Sequence, residues 1–366
     1  MSGESKEIPP STVDEWRNKL NKQYGGNVIQ QGGGKSTGLQ VSRFSSGVLA
    51  NDCALGGGWV FGKIQIIAGE YSTGKTLLAL KAATSVLDYD SATHLHRDRV
   101  DPAKFSPCRV LFVDVEHAFD EVWAITHGWN PDLAYVAKPE YAEQAIDIVT
   151  DAIRGNFFDL IIVDSVAALT PSKEIDESSE DWQIGLGARL CNKAFRRWNS
   201  SLTYMSQKEE KGGPALMCLN QFRLNIGLSF GDPRVMPNGK GQAFAAAIIV
   251  YTKGATVRDD GHAEHGFGEY GGTTWKNKTY IPKCNFKYRM ALQDHPNWPK
   301  GQIDNDKQIM ALGRKYNIIN KSGTKWAVGA EEFRVLADIE TKLVTDSAFR
   351  TMMWRSVISA FGGIPW

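Results

Sequence analysis

From about residue 46 onward, short runs rich in Val, Ile and Leu alternate with stretches whose apolar residues recur at helical spacing. That alternation marks an α/β fold, a mostly parallel central sheet flanked by helices on both faces. The predicted strands are 63–68, 109–115, 160–164, 215–220 and 245–251, and their apolar density suits strands buried on both sides. Upstream, residues 11–24 read as a helix with Ser11 or Thr12 as N-cap, an apolar side of Val13, Trp16 and Leu20, and Gly25 and Gly26 as its stop. This opening unit and the loose QGGGKSTG stretch after it hold too few apolar residues to fold alone, so they must dock on another surface. Beyond Lys278 the periodicity turns irregular, and a small α+β unit is expected from about Gln302 to Trp366. The division anticipated is an arm over 1–45, a core over 46–300 and a small domain over 301–366. Three polar stretches, 89–108, 171–182 and 227–241, are longer than ordinary connectors and are expected to be functional or mobile.

Composition narrows the classes. With 42% apolar and 23% charged residues, the chain has the make-up of a soluble globular protein. No apolar run reaches the roughly 18 residues of a membrane span, and MSGESKEIPP lacks the apolar stretch of a signal peptide, so a cytoplasmic, nucleoid-associated location is expected. The five cysteines are scattered without CxxC pairing and read as reduced, mostly buried thiols. His94, His96 and Cys108 fall close together in the 89–108 stretch, but a fourth metal ligand is not evident, and a polar surface loop is the better reading. A formal net charge of +1 gives no general attraction to polyanions, so a nucleic-acid site has to be a local basic groove.

The chemistry centres on Gly69-Glu70-Tyr71-Ser72-Thr73-Gly74-Lys75-Thr76, which fits G-x-x-x-x-G-K-[ST] between an apolar strand and a helical stretch opening at Leu77. The glycines let consecutive N–H groups curl round phosphate oxygens at a helix N-terminus, where the helix dipole favours negative charge. Lys75 would reach the outer phosphates of ATP and the Thr76 hydroxyl would ligate Mg²⁺. Asp164 closes the strand DLIIVD and is placed to hold the same ion; an ordinary N-cap aspartate is the alternative. Glu116, just past the strand that ends in Val113-Asp114, is placed to orient the attacking water.

These blocks, together with VDVEHAFD, FDLIIVDSVAALTP, IGLGARL, LNQFR, NIGLSFGDP and WKNK, resemble the bacterial RecA family in order and wording from about Asp14 to the neighbourhood of Ala327. Phage-encoded relatives of the UvsX type share this wording. The resemblance implies an ATP-dependent DNA strand-exchange protein that forms helical filaments on single-stranded DNA, takes up homologous duplex DNA and hydrolyses ATP when DNA is bound. It makes Glu116 the catalytic glutamate and Gln221 the sensor of the γ-phosphate. Asp120 and Trp123 become adenine contacts. Lys276 and Lys278 become a pair reaching the neighbouring subunit's ATP; residues alone would favour a solvated charge pair on an edge strand. Ile184 and Ile226 match apolar wedges between bases. Arg189, Arg196 and Arg197, with Phe230, Arg234, Gly239, Lys240 and Gly241 of the second polar loop, match contacts to the DNA backbone. The opening unit resembles the family's polymerisation arm.

Four features depart from the family pattern: the long 89–108 stretch, Arg234 where an acidic residue is usual, Ala245 and Ala246 where larger residues are expected at the subunit contact, and ISAFGGIPW in place of an acidic tail. The last argues against autoregulation by such a tail. Two other classes share the phosphate motif. A ring-type ATPase or helicase would use an arginine finger and lack the arm and the two-lysine phrase, and a DNA-coating relative without hydrolysis would be expected to lose Glu116 or Lys75.

Overall fold

The computed structural model describes residues 12–25, 28–29, 41–172, 185–224, 234–258, 266–294 and 298–366. Helix α1 (Val13–Tyr24) opens the chain. Thr12 caps it by accepting from Glu15 N–H, and Gly25 ends it at φ +69°. There follow β1 (Arg43–Phe44), α2 (Leu49–Leu55), β2 (Trp59–Val60), β3 (Ile64–Gly69), α3 (Lys75–Val86), β4 (Val110–Asp114), α4 (Glu121–Thr126), β5 (Ala134–Ala137), α5 (Ala142–Gly155) and β6 (Leu160–Asp164). The core is completed by α6 (Leu186–Lys208), β7 (Ala215–Gln221), β8 (Arg223–Leu224), β9 (Arg234–Val235), α7 (Gly241–Ala245), β10 (Ile248–Arg258), β11 (Phe267–Asn277) and β12 (Asn285–Ala291). A last group comprises α8 (Asn305–Lys315), β13 (Ile319–Ser322), β14 (Lys325–Val328), β15 (Glu331–Phe333), α9 (Leu336–Thr345) and α10 (Ser347–Ala360).

The central sheet runs β12-β11-β10-β3-β7-β6-β4-β5. The six strands from β10 to β5 are parallel, and β11 and β12 add an antiparallel hairpin at one edge. Alternate residues of the buried strands feed two separate cores, as a two-residue side-chain period requires. Leu160, Ile162 and Met217 face α3, whereas Ile161, Val163 and Cys218 face α5 and α6. Burying both faces explains why these strands are apolar throughout. Elements α8 to α10 enclose a third core around Ile309, Leu343, Met353 and Val357, joined to the main body through Leu49 and Cys53 of α2.

Much of the 89–108 stretch is exposed, as its polar composition predicts, but its ends and two histidines turn inward. Tyr89, Asp90, His94, His96 and Cys108 are all buried. The His94 ring stacks on Phe61 with centroids 3.8 Å apart, and its Nε2 lies 3.0 Å from Asp159 Oδ1. Asp159 also accepts from Lys211 Nζ at 2.9 Å, Ser91 Oγ at 2.8 Å and Arg109 N–H at 3.0 Å. Among the described residues, the ligand atoms of His94, Cys108 and Asp159 do cluster within 4.8 Å of one another. The Lys211 ammonium already neutralises that carboxylate, so the cluster is a satisfied polar brace. Cys53, Cys108, Cys191 and Cys218 are buried free thiols, and Cys284 is half-buried.

Candidate nucleotide site and nucleic-acid interface

The parallel strands deliver their chemistry to one edge. Gly69 at the end of β3 is in register with Gln221 at the end of β7, and Asp114 of β4 with Asp164 of β6. Carboxyl ends of strands in such sheets are where ligands bind. The loop after β3 leads through Glu70, Tyr71, Ser72 and Thr73 to Gly74, which caps α3 at φ +83°. Tyr71 and Ser72 are exposed, Thr73 and Leu77 are buried, and Thr73 Oγ1 donates to Glu70 O at 2.8 Å. A Cβ on Gly69 would stand 2.1 Å from Thr252 Oγ1, so only glycine allows that approach. Lys75 is 9% exposed and its Nζ donates to Glu70 O at 2.6 Å. Burial lowers its pKa, against the opposing pull of Asp164 and Glu116.

Thr76 Oγ1 donates to Asp164 Oδ2 at 2.9 Å. Burial pushes the Asp164 carboxyl up to about 6, with the Glu116 charge adding to the rise and the Thr76 bond opposing it. A hydroxyl and a carboxylate beside a phosphate loop are the hard oxygen donors that suit Mg²⁺. Glu116 is set by the turn after β4, where the buried Asp114 carboxylate accepts from Ala118 and Phe119 N–H at 3.1 and 3.0 Å. Its N–H donates to Asp164 O at 3.2 Å, and its Oε1 accepts from Ser165 Oγ and, at 3.0 Å, from Gln221 Nε2.

From Gln221 a chain of amides continues inward. Gln221 N–H donates to Asn220 Oδ1 at 2.8 Å, and Asn220 Nδ2 donates to Gln242 Oε1 at 2.6 Å. Gln242 Nε2 then donates to Pro237 O and, at 3.2 Å, to Gly239 O. Asn220 and Gln242 are fully buried. Their polar groups therefore have to pair with each other. Sequence reasoning passed over Asn220, Gln242 and Ser165; the one available signal was a polar residue late in an otherwise apolar strand.

The described ends of the two polar stretches, Gly185 and residues 239–241, lie along α6. Gly185 caps this helix. Arg189 and Arg196 are exposed seven residues apart, with exposed Lys193 between them on the same face, a cation the sequence reading missed. Arg197 pairs with Asp147 of α5 and is turned away from that face. Asn192 of α6 accepts from Gly241 N–H at 3.1 Å, and a Cβ on Gly241 would lie 2.1 Å from its Oδ1. Gly239, at φ +88°, approaches the same side chain, and Lys240 is exposed beside it. Arg234 lies in β9, whose pairing with β8 closes the base of the second loop. Ile184, Ile226 and Phe230 lie outside the described residues.

The remaining predicted residues sit apart from this cluster. Asp120 caps α4 by accepting from Trp123 N–H at 2.9 Å, and Trp123 is 36% exposed with its ring 4.3 Å from that of His127. Lys276 Nζ donates to Ala243 O at 2.5 Å and Phe244 O at 3.3 Å, and Lys278 is exposed. Burial, and next the ammonium of Lys278, lower the Lys276 pKa. Ala246 is fully buried and Ala245 half-buried, while Phe244, just before them, is 75% exposed, so the large apolar residue on α7 is Phe244.

A family model described as the RecA N-terminal domain matches residues 12–282. Among curated relatives, Protein RecA of Macrococcus caseolyticus is 30% identical over 345 residues, covering 94% of this chain and 88% of that protein. Protein RecA of Porphyromonas gingivalis is 32% identical over 312 residues, covering 85% and 82%. That of Borrelia hermsii is 31% identical over 338 residues, covering 90% and 86%. With that match over residues 12–282 and these relatives, and with a phosphate-type loop and two carboxylates at one sheet edge, the chain belongs to the RecA family of recombination proteins, which are DNA-dependent ATPases.

Proposed function

We propose that this RecA-family protein carries out ATP-dependent DNA strand exchange as a helical filament on single-stranded DNA, with ATP held at the seam between protomers. The observation that carries the reading is that Gln221 joins both ends of the site: its side chain donates to Glu116, and its backbone N–H donates to Asn220, whose side chain leads through Gln242 to Gly239 O. In this reading Gln221 couples the Glu116 end of the site to the base of the second loop. In this reading the residues of 69–77 cradle the triphosphate, with Asp120 and Trp123 at the adenine, and Lys75 neutralises its outer charge. Thr76 and Asp164 would hold Mg²⁺, which supplies charge neutralisation on the phosphate oxygens. Glu116 orients and deprotonates the attacking water. Gln221 exchanges its bond to Glu116 for one to the γ-phosphate, and that exchange pulls on Asn220 and Gln242, a two-state element biased by the nucleotide.

Arg189, Lys193, Arg196 and Lys240, with Gly239 and Gly241, lie where α6 meets the second loop and suit contacts to phosphates without base reading. Ile184, Ile226, Phe230 and Arg234 complete the DNA contacts in this proposal. Lys276 and Lys278, like charges side by side next to exposed Phe244, suit the triphosphate of the adjoining protomer. The edge strand β5, with Tyr135 54% and Val136 37% exposed, offers the arm of a neighbour an open place to dock. Such a heterologous contact propagates as a helix when its rotation does not close. ATP turnover measured with and without single-stranded DNA tests the reading. Strong stimulation is expected, and a rate indifferent to DNA counts against it.

A further inference from the structure

Lys276 at the end of β11 and Lys278 just past it flank a residue that points the other way. Asn277 is 8% exposed, whereas Lys276 is half-buried and Lys278 exposed, as the pleat of a strand requires. Asn277 Nδ2 donates to Leu55 O at 3.1 Å, and its Oδ1 accepts from the N–H and the hydroxyl of Thr279, both at 2.9 Å. Arg43 adds bonds from Nη2 to Thr279 O at 2.9 Å and from Nη1 to Gly58 O at 3.1 Å. The strand end that presents the lysines is thus held from behind by the turn at residues 55–58.

The other side of that turn carries residues 361–366. Ile364 N–H donates to Gly56 O at 3.0 Å, and a Cβ on Gly57 would stand 1.9 Å from Ile364 O. Tyr280, two residues beyond Lys278, donates from its Oη to Phe361 O at 2.6 Å. Its ring fills the place of a Cβ on Gly56, 2.1 Å away at Cγ. Gly56 and Gly57 have φ of +77° and +122°, so glycine is needed both for conformation and for close approach. At the far end the Trp366 indole lies under the Arg355 guanidinium at 4.7 Å and 5.0 Å from the His96 ring. Arg355 in turn grips Asp98 through both Nη atoms at 2.6 and 3.1 Å. A six-residue segment is therefore pinned at both ends, and its middle lies against the turn that backs the lysines.

We propose that residues 361–366 form a strap that sets the aim of the Lys276–Lys278 pair, with Asn277 and Tyr280 as the positioning residues that join strap to strand. This rests on the reading that the lysines act on the nucleotide of a neighbouring protomer. The contacts above involve no phosphate-loop residue, so loosening the strap changes turnover in the assembled state and leaves a protomer's own ATP affinity alone. A displacement of a reacting group by a fraction of its bond length is enough to slow a step measurably.

The test uses the full chain, with single-stranded DNA-dependent turnover, binding of a fluorescent ATP analogue without DNA, and melting temperature. Tyr280→Phe removes only the hydroxyl and is expected to lower kcat about three- to tenfold, the range of one hydrogen bond, with KM and analogue affinity unchanged and melting temperature lowered by at most a few degrees. Gly57→Ala, which displaces Ile364, is expected to do the same more strongly; should it fail to fold, Tyr280→Phe still decides. In a Lys276→Ala background, Tyr280→Phe is expected to add nothing, because both act through one group. A Lys276→Ala variant with parental kcat sinks the lysine reading itself. A slow Lys276→Ala variant alongside a Tyr280→Phe variant at parental kcat overturns the strap alone. So does a Tyr280→Phe effect that persists undiminished without Lys276.

Discussion

Two carboxylates stand at the ends of adjacent strands, and their surroundings differ. Asp164 is half-buried against Thr76, and its carboxyl is pushed up to about 6. Glu116 is exposed and held by Ser165 and Gln221, as the proposed water-orienting role requires. Glu116→Gln keeps the volume and loses the base: ATP and DNA binding should stay parental while turnover falls at least about a hundredfold. Lys75→Ala should abolish turnover by removing the cation that meets the phosphates. Loss of both binding activities in Glu116→Gln would contradict its role. Buried histidines set the acid stability, His127 among them, since burial also lowers His94 and His96. Burial, helped by the nearby Lys81 ammonium, depresses His127 to about 4, from an ordinary value of 6.5. The unfolded chain therefore takes up a proton first, and stability held above pH 6.5 is lost as pH falls toward 4, by at most on the order of 3 kcal/mol. His127→Gln should flatten the melting-temperature profile in that window; an unchanged slope would refute the assignment.

At the scale of elements, the 89–108 stretch works as a brace between the sheet and the segment after α6. Asp159 carries it, because burial would raise its carboxyl, yet His94 and Lys211 together bring it down to about 2. Asp159→Asn leaves the Lys211 ammonium without a counter-charge in a buried setting, and a loss of about 3 kcal/mol in unfolding free energy is expected. Denaturant titration checks this, and a loss below about 1 kcal/mol would show that the brace is not electrostatic. This element also shows where a sequence stops being legible. The strands β3, β4, β6 and β7 could be read from their apolar runs, and α3 from the phosphate motif before it. The inward turn of His94 and Ser91 could not, since their partners, Asp159 and Lys211, lie far along the chain. The same holds for Asn220 and Gln242, an amide pair 22 positions apart whose meaning exists only when they touch. Strand β11, rich in Gly and Thr, lacks the apolar signal of a buried strand and was visible only as the WKNK phrase.

At the scale of the whole molecule, one sheet edge gathers the phosphate-type loop, Glu116, Asp164 and the Asn220–Gln242 pair, while Lys278 and the edge strand β5 are exposed. In the proposed reading the site is complete only when a second copy is added, and a non-closing rotation between copies grows into a filament where a closing one would give a ring. That reading also makes DNA and nucleotide binding reciprocal, each raising the affinity for the other. Electron microscopy of the purified protein with single-stranded DNA, Mg²⁺ and a non-hydrolysable ATP analogue is the most direct test. Regular helical filaments that require both the analogue and the DNA are predicted; monomers or closed rings under those conditions would contradict the account.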